Sequence, residues 1–483
     1  MRRTLGPLVC TVAAALLAAG AMPAQPGAAD TLRLTLAEAV QRALRENGDV
    51  RSAAAQLEAI EAQVGLARAT GLPTVTVNSS YQRLLQNARA EAIGQIFNQP
   101  LTYTANARAS WTIFQGGQVL FGIAGARRAR QASELTLAEA RATITVAVQR
   151  AYLGAIVAEA LADIQKENLA LVAQRLEQAD QRFAAGQASR YDVLRARVER
   201  ANAEPPAIAA RNQRDLALLE LKRLLNLPPT RTVSLASSLD MPALERTVPL
   251  TLAAQGDDDD GRRRGVLRAA DLRLRAAGDA VWAARSEYLP TITVFYQRGY
   301  LAFPVTGFPP GLGELGNQFC PAGSAATRVC NNGGWFGDRN YGLQFSWPIW
   351  DGLRAKAGVD LAAAQRQLAR IGAEQTALDV AADIARARAE VERARAAFTA
   401  QRAAAGEAGE VYSLASLRLS RGLGTPLDVS DAGLNLLVAR SNEARAGADL
   451  WLAVADLERA RGRTVPMPPV RGAAAPAVTE ENP

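Results

Sequence analysis

Asp428 and Asp431 stand one helical turn apart, an i, i+3 spacing that puts both carboxylates on one helix face. Thr425-Pro426-Leu427-Asp428 is also a helix start, with threonine at the N-cap, proline at N1 and an acid at N3. Ser189-Arg190-Tyr191-Asp192 repeats that arrangement. Asp192 and Asp428 are therefore assigned mainly to capping, while Asp431 lies a turn further in and escapes that explanation. Cys320 and Cys330 are the other reactive pair, and two thiols this close in an oxidising compartment are expected to form a disulfide stapling a loop. A metal pair is the alternative, although no histidine stands near to complete it. Asp257 to Asp260, followed by Arg262 to Arg264, read as a solvated linker in preference to a calcium site. The chain has no histidine at all, which removes the Ser-His and Cys-His nucleophile pairs and the commonest zinc ligand. No nucleophile and base are placed together, so neither catalysis nor a cofactor is expected.

The N-terminus sets the compartment. Arg2 and Arg3 precede an apolar run from Leu8 to Leu17, and small residues follow to Ala29. A charged start, a short hydrophobic core and small-residue cleavage sites describe a secretory signal over residues 1–29. The apolar core is shorter than the roughly 20 residues a spanning helix needs. No later segment reads as a spanning helix. Cys10 lies inside the apolar run, with no spacing that suggests lipidation. The net charge is +8, yet only Lys166, Lys222 and Lys356 are lysines, and the arginines are interspersed with acids. That balance reads as solvated helix surface, and an exported chain meets no nucleic acid.

The elements that must position these residues are written twice. Arg51-Ser52-Ala53 through Leu72-Pro73-Thr74-Val75-Thr76-Val77 matches Arg268-Ala269-Ala270 through Leu289-Pro290-Thr291-Ile292-Thr293-Val294, at an offset of 217 positions without a gap. Trp111-Thr112-Ile113-Phe114-Gln115-Gly116 matches Trp347-Pro348-Ile349-Trp350-Asp351-Gly352 at an offset of 236, which then pairs Gly186 with Gly422 and Asp192 with Asp428. The added length of the second copy falls in one loop, the one carrying both cysteines. Self-similarity of this kind is a structural duplication.

Each copy opens with a helix that stops before a Leu-Pro pair, since proline cannot continue it. Strict alternation follows: Val75, Val77, Ser79 and Tyr81 oppose Thr74, Thr76, Asn78 and Ser80, and the second copy repeats this from Thr291 to Tyr296. After a loop it returns, over Ala105 to Ile113 and over Asn340 to Ile349. Period two means strand. Segments of about ten residues, apolar on one face and tipped with aromatics, suit a transmembrane barrel. Four strands cannot close a cylinder, because a bilayer tolerates no open sheet edge. The smallest spanning barrels have about eight strands, and three chains would supply twelve with room for a lumen.

The longest helical pattern runs from about Gly122 to Arg182, roughly 60 residues or about 90 Å. It breaks at Ala184-Ala185-Gly186 and resumes to Leu225, with Pro205-Pro206 expected to kink or break the return. The second copy runs from Leu353 to Leu419, breaks at Gly422-Leu423-Gly424 and returns to about Arg461. Such helices pair as coiled-coil-like hairpins. The organisation expected is a first repeat over 32–231, a linker over 232–265, a second repeat over 266–465 and a disordered tail over 466–483. The fold class is mainly α with a small β part.

Leu34-Thr35-Leu36-Ala37-Glu38-Ala39 with Ala43, Leu44 and Asn47 resembles the N-terminal signature of the TolC-like outer-membrane factor family. So do the Leu-Pro-Thr strand starts, Trp111 to Gly117, and the Arg-x-x-x-Gly motifs at Arg182 and Arg418. Their duplicated order covers residues 32 to 465. The resemblance implies a homotrimer with a 12-stranded outer-membrane β-barrel and a periplasmic α-barrel of helical hairpins. It also implies docking to a periplasmic adaptor and an inner-membrane pump or secretion transporter, with passive conduction. Asp428 and Asp431 match family positions where acids ring the periplasmic constriction, and such a ring favours cations. The tips around Gly186 and Gly422-Leu423-Gly424 match the adaptor-docking surface. Family members with a latched tip use a tyrosine and an arginine where this chain has Leu419 and Gly424, so that latch is not expected here. Small-molecule efflux is preferred to protein secretion as the duct's task. The alternative of another class is a non-conducting periplasmic coiled-coil scaffold.

Overall fold

The computed structural model describes residues 31–86, 101–239, 244, 246, 248, 261–302 and 335–471. In chain order these form β1 (Leu32–Leu34), α1 (Leu36–Glu46), α2 (Gly48–Ala69), β2 (Thr74–Arg83), β3 (Leu101–Gln115), α3 (Gln118–Ala184) and α4 (Arg190–Leu224). Then come β4 (Val233–Leu235), β5 (Ser238–Leu239), α5 (Gly265–Arg285), β6 (Thr291–Ala302), β7 (Trp335–Ser346), α6 (Arg354–Ser420), α7 (Pro426–Ala460) and β8 (Val470–Arg471). Long helices α3 and α6 have 67 residues each, and their return helices α4 and α7 have 35 each. At 1.5 Å per residue the long helices extend about 100 Å.

Local chemistry explains where the helices begin. Thr35 and Glu38 form a capping box at α1, each side chain bonded to the other's backbone N–H. Asn47 ends α1 and starts α2: its Oδ1 accepts from Asp49 N at 2.9 Å, and its Nδ2 donates to Leu224 O at 3.0 Å. That buried side chain ties the opening helices to the end of α4.

The four main strands form one antiparallel sheet in the order β2-β3-β6-β7. Val75 pairs with Ala109 in the first hairpin, and Ile292 pairs with Phe345 in the second, which are the positions the two sequence offsets predict. A further pair of bonds repeats. Trp111 Nε1 donates to Gly71 O at 2.9 Å, and Trp347 Nε1 donates to Tyr288 O at 3.1 Å, so each hairpin is pinned to its entering helix alike. The strands end differently. β3 continues past Trp111 through an irregularity between Thr112 and Phe114, whereas β7 stops at Ser346, short of the expected Ile349. Pro348 stands where Thr112 stands in the first copy, and it has no N–H to give to a ladder.

The core lies among the helices on the far side of the sheet. Leu36, Val148, Tyr152, Leu221 and Leu225 belong to one cluster and Leu153, Phe398, Trp451, Val454 and Leu457 to a second, with a small third of Val380, Ile384 and Ala460. Trp451 is 0% exposed and donates its indole N–H to Gln149 Oε1 at 3.3 Å. Gln149 Nε2 in turn donates to Pro466 O at 2.9 Å. Tyr152 Oη donates to Leu34 O and accepts from Ser237 N.

Four expectations need correction. Pro205 and Pro206 do not break α4, which runs unbroken through them. Both prolines and the carbonyl-bearing residues Ala201 and Asn202 lie on an exposed face, so water satisfies the acceptors that lose their partners. The segment 232–265 is not wholly a solvated linker. β4 pairs parallel with β1, Val233 is buried in the first of these clusters, and Leu244 and Val248 are buried in the second. Arg264 is 6% exposed and bonds Asp383 at 2.8 Å and Glu139 at 3.4 Å. Asp257 to Asp260 lie outside the described residues. The start of the tail is ordered as well: Pro466 accepts from Gln149, and β8 pairs with β5. Finally, part of α3 is long and apolar enough to cross a membrane by length and composition. Half of that stretch is buried in the protomer, and the buried side chains of α3 concentrate between Ala132 and Ile164, where it passes through the core.

Candidate functional site

The two hairpin tips are built by the same bonds. At the first, Gly186 N donates to Phe183 O at 3.0 Å and Gln187 N donates to Arg182 O at 2.8 Å. At the second, Gly422 N donates to Leu419 O at 3.0 Å and Leu423 N donates to Arg418 O at 2.9 Å. This crossed pair is a Schellman closure, and it needs a left-handed residue after the helix. Gly186 and Gly422 supply it with φ of 72° and 70°. Neither glycine has a neighbour within 4 Å of where a Cβ would stand, so backbone conformation and not crowding calls for glycine here.

The return helices then start on capping boxes. Ser189 Oγ accepts from Asp192 N at 3.2 Å while Asp192 Oδ2 accepts from Ser189 N at 2.9 Å and from Ser189 Oγ at 2.7 Å. Thr425 and Asp428 exchange the equivalent bonds at 3.2 and 2.9 Å. Hydrogen bonds from the Ser189 side chain and then its backbone hold the Asp192 carboxyl below the usual range. The Thr425 backbone and then its side chain do the same for Asp428. Both carboxylates thus serve as caps in the protomer.

Asp431 is placed differently. It forms an ion pair with Arg175 of α3, so it ties the second hairpin's return helix to the first hairpin's outgoing one. The Arg175 side chain is 28% exposed and that of Asp431 is 54% exposed. Arg175 also keeps a buried Nε without a hydrogen-bond partner, so its guanidinium is held chiefly through Asp431. Nothing in the sequence pointed to Arg175, because the two residues are 256 positions apart and belong to different repeats. Beside this pair a cleft of about 610 Å³ opens between α3, α6 and α7, lined by Leu171, Tyr412, Leu419, Leu434 and Leu437. Leu419, which stands where latched relatives of the resemblance carry tyrosine, is part of that apolar wall.

The tips differ in side chains. Leu423 is 70% exposed, while its first-copy equivalent is the polar Gln187. Gly424 packs its backbone against Arg418 and Leu419, where a Cβ would come within 3.2 Å of the Arg418 side chain. Among the described residues no group of three or more His, Cys, Asp or Glu could hold a metal. Cys320 and Cys330 lie outside the described residues.

At the other end of the molecule the sheet turns one apolar face to the exterior of the protomer. Val77 is 77% and Leu343 64% exposed on it, and Val75, Tyr341 and Phe345 share that exposure. The opposite face carries Thr76, Asn78, Thr104, Asn106, Gln297 and Gln344. Strands β2 and β7 form the two edges, and neither has a partner on its outer side among the described residues. An apolar face of this kind beside a polar one is the pattern of a barrel wall in lipid.

Residues 39–227 and 262–463 match the family described as outer membrane efflux protein. The chain belongs to the outer membrane efflux protein family. Outer membrane protein OprJ of Pseudomonas aeruginosa is 26% identical over 88% of this chain and 83% of its own length. Pyoverdine export outer membrane protein OpmQ of Pseudomonas putida is 27% identical over 55% of this chain, which spans 56% of that relative. In structure the chain is similar to the outer membrane channel CmeC of Campylobacter jejuni, at 17% identity, covering 88% of this chain and 85% of that one with a TM-score of 0.66. This efflux-family chain therefore has the TolC-like fold: mainly α, with long helical hairpins below four strands of a shared β-barrel. It is an outer-membrane protein with a large periplasmic helical portion. Its family and structural neighbours are channels and not enzymes.

Proposed function

We propose that this protein is the outer-membrane exit duct of a tripartite efflux system, a passive homotrimeric conduit from periplasm to exterior. The observation that carries the reading is the four-stranded antiparallel sheet with two open edges, set on helices about 100 Å long. One protomer leaves the outer edges of β2 and β7 without partners among the described residues, which lipid does not allow. A β7 of one subunit runs antiparallel to β2 of the next, so three copies close twelve strands around a lumen. The polar face then lines water and the helical hairpins continue the wall into the periplasm.

In this reading the two repeats, 32–231 and 266–465, contribute equivalent sixths of the trimer. The tips at Gly186 and at Gly422, Leu423 and Gly424 dock a periplasmic adaptor, which couples the duct to an inner-membrane pump. Asp431, with Asp428 beside it and Asp192 on the other hairpin, lies at the tip end where the tunnel narrows. Small molecules are the cargo favoured, in keeping with the name of the pyoverdine-export relative.

Disulfide trapping across the subunit seam tests the duct. With Cys320 and Cys330 replaced by serine, cysteines placed along β2 and at Leu343 should link neighbouring subunits into a trimer ladder on non-reducing gels. A protein that stays monomeric in detergent and yields no cross-link at any β2 position refutes the duct. Outer-membrane fractionation separates it from a soluble periplasmic scaffold.

A further inference from the structure

Three arginines, Arg83, Arg298 and Arg339, stand on the apolar face of the sheet, at the end away from the helices. Arg298 and Arg339 are directly opposite each other on β6 and β7. Like charges paired across a ladder destabilise it unless an anion joins them. No aspartate or glutamate shares that face among the described strand residues, because Asp338, the single carboxylate of the four strands, points to the other face. Both side chains are exposed, and the Arg298 guanidinium lies 5.4 Å from the centroid of the Tyr300 ring.

The duplication shows what depth these positions occupy. The offset of 217 carries Tyr81 to Arg298 and Arg83 to Tyr300, and the offset of 236 carries Tyr103 to Arg339. The three matching positions are thus tyrosines: Tyr81 and Tyr103 in the first hairpin, with ring centroids 5.0 Å apart, and Tyr300 on β6 across the β3–β6 seam. A tyrosine cluster at the end of barrel strands marks the membrane–water boundary. The arginines therefore sit at headgroup depth.

The same duplication gives the register of the seam between subunits. β3 meets β6 with Ala105 opposite Tyr300, and the equivalent positions at the closing seam are Tyr341 and Arg83. Arg83 of the partner subunit then lies diagonal to Arg339, within reach of a long side chain. We infer that Arg298, Arg339 and Arg83 of the partner subunit form a phosphate-binding site on the lipid-facing wall, three per trimer, that holds the phosphorylated headgroup of an outer-leaflet lipid. Guanidinium forks bind phosphate oxygens in pairs, and the neighbouring tyrosine and Leu343 side chains accompany the acyl chains. The site is completed only by a second subunit, so it rests on the trimeric reading above. Bound lipid bridges two subunits at the seam.

Native mass spectrometry of the purified trimer tests this, with diphosphoryl lipid A, its dephosphorylated form and phosphatidylglycerol as probes. The wild-type trimer is expected to retain diphosphoryl lipid A. The R83Q/R298Q/R339Q trimer should lose that retention by about tenfold or more, and the dephosphorylated lipid should bind the wild type as poorly. An equal loss for phosphatidylglycerol supports a general phosphate site, and an unchanged, weak binding of it supports the glycolipid as the source. The lumenal variant R108Q should retain lipid like the wild type. A trimer of the triple variant with undiminished lipid overturns the site alone, whereas a monomeric wild-type sample overturns the duct itself. The register has its own check: Arg83→Cys with Tyr341→Cys, without the native cysteines, should cross-link between subunits. A trimer in which that pair stays reduced places Arg83 out of reach and also overturns the site.

Discussion

Replacing Arg175 by glutamine should loosen the periplasmic end of the channel. The substitution leaves a shorter, still polar side chain and removes the charge that Asp431 faces. With side chains 28% and 54% exposed, the pair belongs with partly solvated ion pairs and not with buried ones. Its contribution to the closed arrangement is then about 1 kcal/mol per protomer. If the three subunits open together, the loss is about 3 kcal/mol, a shift of about 150-fold toward the open state. Independent opening would give about fivefold at each tip. Planar-bilayer recordings report both the open probability and the ion selectivity. They belong at 0.1 M salt, where the Debye length is about 10 Å, because at 1 M it falls to about 3 Å and the pair is screened. Arg175→Gln should raise open probability and strengthen cation selectivity, since Asp431 is left without its cation. Asp431→Ala should also open the tip but weaken cation selectivity. The two variants thus agree in gating and oppose each other in selectivity. Wild-type recordings from both, or selectivity unchanged in Asp431→Ala, would remove the pair from the constriction.

The capping boxes predict a pH dependence at the tips. Asp192 and Asp428 have folded pKa values depressed below the ordinary aspartate value of 3.8, so their stabilisation is present above that value and is lost as pH falls through the lower folded one. Amide exchange at the first turns of α4 and α7 should stay protected at pH 5 and become fast only well below 3.8; fraying already at pH 5 would contradict the bonds. Trp111→Phe and Trp347→Phe should each cost about 1 kcal/mol in detergent unfolding, and by similar amounts, because the two indole bonds are equivalent. A large difference between them would show that the repeat is not energetically symmetric. Gln149→Leu should cost about 1 to 3 kcal/mol, since it leaves the buried Trp451 N–H and the Pro466 carbonyl unpaired. An unchanged denaturation midpoint would mean that water reaches both groups.

Much of this protein was legible in its residue order because the deciding signals are local. Alternation over Thr74 to Tyr81 predicts a strand, and one lies there, because side chains two apart share a face in any extended chain. Gly186 and Gly422 mark helix ends because left-handed backbone is open to few other residues. Ser189 and Thr425, three residues before an acid, mark helix starts for an equally local reason. The duplication went further, since two copies of one grammar imply two like hairpins, and the offsets relate the register of the second to that of the first.

What remained belongs to contacts between distant segments. Pro205 and Pro206 are helix breakers by propensity, yet α4 continues through them, on a face where water can reach the freed carbonyls. The charge run at Arg262 to Arg264 looks solvated in isolation, but Arg264 is drawn into the interior by Glu139 and Asp383, from two other helices. The Arg175 partner of Asp431 comes from the other repeat, through a packing of hairpins that no window of sequence contains. Sequence periodicity specifies which face an element buries; only the assembled tertiary structure decides which distant charge that face meets, because helix pairing is set by whole-surface packing and not by any single residue.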